Sequence, residues 1–242
     1  MRAPSGETNV DARPVRQKMT RVVVWLGGAL FVTSLTMCLW FYLFELGQPR
    51  PWLGWTPIAS DAILVTVFAL HHSLFAREAV KQQMIRVIPQ ELLRSVYVWI
   101  ASLLLIGVCL AWQSVGGDLY HALGAVAGVH AAVQLAGIVV IVQSVRAIDP
   151  LELAGIKPPS RGTGLQVTGV YGIVRHPLYF GWVLAAFGTA HMTGDRLTFA
   201  ALTSLYLAVA VPWEERSLVR SFGEPYRRYQ QRVRWRMIPF IY

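Results

Sequence analysis

Arg175-His-Pro-Leu-Tyr-Phe-Gly181 sets a guanidinium, an imidazole and a phenol at the head of an apolar run. Pro177 suits the first turn of a helix, where its missing N–H costs nothing and its φ is preset. His176 then stands at the helix start, where free backbone N–H groups and the helix dipole favour an anionic group. Gly181, one turn on, removes a side chain and lets a ligand or a neighbouring helix come close. The same pattern also serves as a simple helix cap with an interfacial arginine. A second group, Glu214 and Glu215, closes another apolar run. Helix neighbours point about 100° apart, so one carboxylate can face inward while the other pairs with an arginine. A third group is His71-His72-Ser73, followed by Arg77, Lys81, Arg94 and Tyr97. Histidine titrates in the range that suits a general base. Zinc takes three or four ligands at suitable spacing, and two adjacent histidines fall short of that. An imidazole bonded to a backbone carbonyl at an interface is the plain alternative.

Composition says which elements must position these groups. Of 242 residues, 55% are hydrophobic and 14% charged, with a mean hydropathy of +0.45. Soluble chains carry about 25% charged residues, so an ordinary soluble enzyme and a disordered chain are both excluded. A helix needs about 20 apolar residues to cross the hydrocarbon core. Residues 22–44, 56–75, 95–113 and 121–145 reach that length. Residues 178–193 and 197–213 are shorter, separated only by Gly194-Asp195-Arg196, and predict a tight helical hairpin. Of the 22 lysines and arginines, 20 fall in the N-terminal segment, the loops after the second and fourth runs, and the C-terminal tail. Only Arg50 and Arg196 lie on the other side. That partition predicts six spans in the inner membrane with both termini cytoplasmic. It makes the basic charge a contact for anionic lipid of the cytoplasmic leaflet rather than for nucleic acid. The first apolar run is too long, and lacks the small-residue site, for a cleavable signal.

The expected fold is therefore all-α, a polytopic transmembrane bundle whose fifth and sixth spans form a short hairpin. Residues 1–20 make a cytoplasmic tail, 21–145 the four-span region, and 146–242 the segment carrying the hairpin and the C-terminal helices. Gly223 ends one helix and Pro225 begins the next. Phe222, Tyr226, Tyr229 and Val233 then share one helical face. For the arginines between them, an amphipathic helix with snorkelling side chains on the lipid surface is the better reading. Cys38 and Cys109 sit inside apolar runs, and their spacing makes neither a disulfide framework nor a metal site.

Gly162-Thr-Gly164 is no dinucleotide fingerprint, because the next glycine falls at 169 without a strand–turn–helix around it. No phosphate loop, nucleophile elbow or His-Glu-x-x-His motif is present. What does stand out is a pair of motifs. Arg175-His-Pro-Leu-Tyr-x-Gly181 is followed, after a hydrophobic hairpin, by Glu214-Glu215-x-x-Leu-x-x-x-Phe-Gly-x-x-Tyr-x-x-Tyr229 and a terminal Ile238-Pro239. The pair resembles the integral-membrane methyltransferases, which include isoprenylcysteine carboxyl methyltransferase and the phospholipid N-methyltransferases. In that family the two segments enclose S-adenosylmethionine from the cytoplasmic side. The resemblance implies a cofactor site of Arg175, His176, Tyr179, Gly181, Glu214, Glu215, Tyr226 and Tyr229, with the Glu pair holding the ammonium group or polarising the pocket. His72-Ser-Leu-Phe-Ala-Arg77, Lys81, Val87-Ile-Pro89 and Arg94-Ser-Val-Tyr97 look like the branch containing the methanethiol S-methyltransferases. Asp149, Leu151 and Gly155 fall where that branch has an Asp-containing loop. The loop between the fourth and fifth spans is short here, and Leu178-Tyr-Phe-Gly181 is closer to the general family form. The implied reaction is S-methylation of a small thiol, with His72, Arg94 and Tyr97 as catalytic residues and no metal. A lipid or isoprenylcysteine carboxylate acceptor is the alternative; a wide lateral opening would favour it, and a small closed cavity the thiol. An NADPH-dependent membrane reductase and a non-catalytic accessory protein are the readings from other classes.

Overall fold

The computed structural model describes residues 12–75, 77–157 and 164–242. The N-terminal tail up to residue 11, Ala76 and Gly162-Thr163 lie outside these residues. The described elements, in chain order, are α1 (Ala12–Trp40), a π-turn (Phe41–Glu45), α2 (Trp55–Phe75), α3 (Glu78–Met84), α4 (Gln90–Ala111), β1 (Asp118–His121), α5 (Gly124–Ile148), α6 (Pro150–Leu153), a short 3-10 turn (Gly169–Gly172), α7 (Pro177–Phe187), β2 (His191–Thr193), α8 (Gly194–Phe222) and α9 (Glu224–Arg232). Among the described residues, five helical stretches are long and apolar enough to cross a membrane: Thr20–Glu45, Trp55–Phe75, Gln90–Ala111, Gly124–Ile148 and Gly194–Phe222. Their lipid-facing sides stay apolar, which fits an all-α integral-membrane bundle.

Three features depart from the sequence reading. Helix α1 already begins at Ala12, so residues 12–19 are helical ahead of the first candidate span, which starts at Thr20. Helix α7 has 11 residues, about 16 Å at 1.5 Å per residue, or roughly half the hydrocarbon thickness. Beyond it the chain runs extended into β2, which pairs antiparallel with β1 to give a small ribbon in an otherwise helical molecule. Finally, Gly194-Asp195-Arg196 is no exposed turn. It is the buried first turn of α8, and both charges have structural partners.

Asp195 is 1% exposed and accepts hydrogen bonds from the backbone N–H of Val115 and Gly116 at 2.8 Å, from Trp112 Nε1 at 3.0 Å and from Ser114 Oγ at 3.2 Å. A carboxylate at a helix N-terminus also suits the helix dipole. Arg196 donates to the carbonyls of Tyr42, Leu43 and His191 at 3.2, 2.7 and 2.6 Å. It thereby satisfies acceptors that the end of the first helix leaves without intrahelical partners. Arg50, the other exception to the charge partition, donates to Ser114 Oγ at 3.0 Å and pairs with Glu45 at 3.4 Å. Both exceptions tie the same end of the bundle together.

At that end a core of Cys38, Phe41, Tyr42, Leu46, Cys109 and Phe199 is packed by Trp112 and Trp182. The two cysteines, distant in sequence, are here free, buried thiols of one cluster. Helices α5 and α7 touch through glycines. A Cβ on Gly137 would lie 2.6 Å from the Gly181 carbonyl, and one on Gly181 2.7 Å from the Gly137 carbonyl.

Candidate active site

The two halves of the signature meet where α7 begins and α8 ends. Helix α7 starts at Pro177 with His176 in the N-cap position. Helix α8 stops at Gly223, whose φ of +63° is a left-handed conformation that glycine adopts without strain. The chain then reverses into α9 with Pro225 in its first turn.

Arg175 Nε donates to Glu215 Oε1 at 2.5 Å, and its Nη1 donates to the carbonyls of Val233 and Arg234 at 2.7 and 2.8 Å. The backbone N–H groups of Arg175 and His176 donate to the carbonyls of Trp235 and Arg236. Glu215, buried at 4% exposure, also accepts from Gln230 Nε2 at 3.2 Å and lies 3.5 Å from Arg236 Nε and from His176 Nε2. One carboxylate thus meets four side chains from three segments, and its charge is matched by two guanidinium groups. Glu214 is different. It stays exposed; its Oε2 accepts from the Tyr179 hydroxyl at 2.8 Å and lies 3.6 Å from His176 Nδ1. The Tyr179 ring stacks on His176 at 5.4 Å. Among the described residues, no guanidinium pairs with Glu214.

On the facing helices, the Tyr97 hydroxyl sits 2.6 Å from His72 Nδ1 and 3.3 Å from its Nε2. The Arg94 charge reaches that hydroxyl. His71 is buried and stacks on the other side of Tyr97 at 5.6 Å, with neither ring nitrogen hydrogen-bonded. The loop after α5 closes over this corner. Asp149 accepts from Leu151 N and Lys157 Nζ at 2.9 and 3.0 Å, and Gly155 (φ +70°) lies so near α4 that a Cβ would meet Val98 at 2.8 Å.

Tyr206 of α8 joins the two groups. Its ring meets His72 edge-on at 6.4 Å, and its hydroxyl interacts electrostatically with Tyr97, Tyr179 and Glu214. Sequence reasoning missed it, although Tyr206 precedes Glu214 by eight residues and so shares its helical face. His72 is exposed, and Tyr97, Tyr179 and Tyr206 are half-buried. His72, Tyr97, Tyr206, Tyr179 and Glu214 therefore form a band of polar groups, paired at one end as Tyr97–His72 and at the other as Tyr179–Glu214.

Three residues read as cofactor contacts have other neighbours. The missing Cβ of Gly181 faces α5, as described above, so its close approach is to a helix. Tyr226 and Tyr229 are 1% and 4% exposed in a cluster with Val233, Leu218 and Phe222. They follow the single face expected of them, but that face is turned onto α8. The Tyr229 hydroxyl donates to the Tyr171 carbonyl at 2.7 Å, and burial pushes both tyrosine hydroxyls up from their ordinary pKa. Burial, with the Glu214 charge nearby, likewise pushes Tyr171 up to about 12. No three His, Cys, Asp or Glu side chains converge as a metal site among the described residues.

The arrangement offers a carboxylate that no guanidinium pairs with among the described residues and, on the facing helices, an imidazole oriented by a phenol. It can hold a cationic group and take a proton from a second reactant. A family model for phospholipid methyltransferases matches residues 121–225. The chain is 33% identical over 199 residues to methanethiol S-methyltransferase 2 of Bradyrhizobium diazoefficiens, covering 78% of this chain and 75% of that protein. It is 34% identical over 195 residues to the methanethiol S-methyltransferase of Crocosphaera subtropica, covering 77% and 76%. A shorter match, 38% over 72 residues, covers 28% of this chain and 36% of protein-S-isoprenylcysteine O-methyltransferase B of Arabidopsis thaliana. No solved structure matches the chain significantly. The chain belongs to the integral-membrane methyltransferases, in the branch of the methanethiol S-methyltransferases.

Proposed function

We propose that this enzyme methylates methanethiol to dimethyl sulfide with S-adenosylmethionine as donor. The observation that carries the reading is the pairing of Glu214 with Tyr179 and of His72 with Tyr97, with the Tyr206 ring set against His72. The methanethiol relatives match more than three quarters of the chain, whereas the isoprenylcysteine relative matches 28% of it. That difference favours the thiol over a lipid acceptor.

The cofactor, when bound, supplies an electrophilic methyl group on a sulfonium sulfur. The donor set fits it. Glu214 is a carboxylate held by a phenol and an imidazole rather than by a guanidinium, so it is suited to an ammonium or sulfonium charge. Glu215 is already matched by Arg175 and Arg236 and acts as scaffold. His72, fixed by Tyr97, takes the thiol proton, and Arg94 favours the thiolate that results. Positioning of reactants near 3–3.5 Å supplies most of what such a displacement needs, about 7–11 kcal/mol.

The same reading places both termini and this site on the cytoplasmic side of the inner membrane, with six crossings. Glu214 lies 20 residues along α8 from Gly194, about 30 Å of helix. Residues 177–193 cover the same span in reverse, from the His176–Glu215 contact to the β1–β2 ribbon. They do so with the short helix α7 and an extended segment at about 3.3 Å per residue.

Purified protein given S-adenosylmethionine and methanethiol is expected to release dimethyl sulfide into the headspace, matched by S-adenosylhomocysteine. No dimethyl sulfide from protein that binds S-adenosylhomocysteine calorimetrically would overturn the acceptor assignment. In the same assay Glu214→Gln should raise the Kd for the cofactor by about 10–100-fold, the worth of a charged hydrogen bond. Tyr179→Phe should raise it only a few-fold. Unchanged affinity in Glu214→Gln would remove Glu214 from the site.

A further inference from the structure

We propose that Cys38 and Cys109 form a redox-active dithiol, which a small apolar disulfide entering a lateral groove oxidises to a cross-link between α1 and α4. Three observations carry it. First, the two free thiols are buried in one packed cluster and interact electrostatically, although they come from different helices. Second, Cys109 is not sealed in: it lines a groove of about 340 Å³ together with Met37, Trp40, Leu110 and Trp112. Third, the Glu45–Arg50 pair at the same groove is about 40% exposed, so the groove has a polar mouth and an apolar, sulfur-bearing wall. Aromatic and thioether surfaces suit a soft, polarisable guest. The catalytic residues lie toward the opposite end of the bundle: Tyr97 precedes Cys109 by 12 residues on α4, about 18 Å.

The exchange balances without any further reactant. The Cys109 sulfur attacks one sulfur of a small disulfide, forming a mixed disulfide and releasing one small thiol that carries away the Cys109 proton. The Cys38 sulfur then attacks the Cys109 sulfur of that mixed disulfide. The second small thiol leaves with the Cys38 proton. The protein dithiol is oxidised by two electrons, and the small disulfide is reduced to two thiols. The order follows from access, since exchange needs an attacking sulfur that the disulfide can reach, and only Cys109 of the two lines the groove.

The test uses the full-length protein in detergent, with dimethyl disulfide as probe, followed by acid quenching, denaturation, alkylation and intact mass analysis. Wild type is expected to lose two hydrogens and accept no alkyl group, and reductant should restore two alkylatable thiols. Cys38→Ser should stop at one methylthio group on Cys109. Cys109→Ser should react at least tenfold more slowly. Closing a 70-residue loop should also raise the thermal midpoint of the oxidised wild type on the order of 5 °C, a shift absent from both variants. Two methylthio groups on wild type without a cross-link would overturn the proposal. So would two thiols that stay fully alkylatable after treatment.

Discussion

His72→Ala is expected to lower turnover at saturating methanethiol by 10²–10⁴-fold, the usual contribution of a positioned general base. The deficit should shrink as pH rises toward the thiol's own pKa. Below that pKa the fraction of ready-made thiolate grows tenfold per pH unit, and a variant without the base depends on that fraction alone. Wild type, with His72 to take the proton, should show a much flatter profile over the same range. Tyr97→Phe removes the hydroxyl 2.6 Å from Nδ1 but leaves the imidazole, so its loss should be about tenfold. Cofactor affinity should not change in either variant, because the pair stands at the other end of the band from Glu214. A pH-independent deficit in His72→Ala would make His72 a packing residue. Full activity in that variant would remove it from the site.

How much of this was legible in the sequence depends on where each residue's partner lies. The helix start at Pro177 and the break at Gly223 could be read directly, because the signals are local: a preset φ and a left-handed cap. The division of labour between Glu214 and Glu215 was half visible. Their angular separation follows from helix geometry, but which of them meets Arg175 does not. Tyr206 was hidden because one tyrosine in an apolar span is unremarkable until α2 and α4 are packed beside it. Asp195 and Arg196 were misread for the opposite reason. A glycine followed by two charges looks like a turn, and only the unsatisfied N–H groups of Val115 and Gly116 and the carbonyls ending α1 explain why both are buried. Tyr226 and Tyr229 were assigned to the right face of the right helix. That face packs on α8 because Gly223 folds α9 back.

The second large effect concerns Arg175, the residue on which the cap formed by the start of α7, the end of α8 and α9 is built. Its guanidinium bonds Glu215 and the carbonyls of Val233 and Arg234, and both charged side chains of the pair are 6% exposed. Removing one partner of a buried pair strands the other charge, at a typical cost of 3–5 kcal/mol. Arg236 and Gln230 still reach Glu215, so Arg175→Met should cost about 3 kcal/mol. The loss should appear first as rapid proteolysis after α8, and methyl transfer should fall with it. Replacing both partners is a different experiment. In Arg175→Met/Glu215→Met no charge is stranded, and exchanging a buried pair for apolar side chains of similar volume is often neutral or stabilising. The double variant should therefore recover most of the thermal stability that Arg175→Met loses. Activity should return only in part, because the carbonyls of Val233 and Arg234 still lack their donor. If the double variant is less stable than Arg175→Met, then the pair is net stabilising and the cap rests on the Arg175–Glu215 attraction itself. If Arg175→Met is as stable as wild type, Arg236 already holds Glu215 and Arg175 is dispensable to the cap.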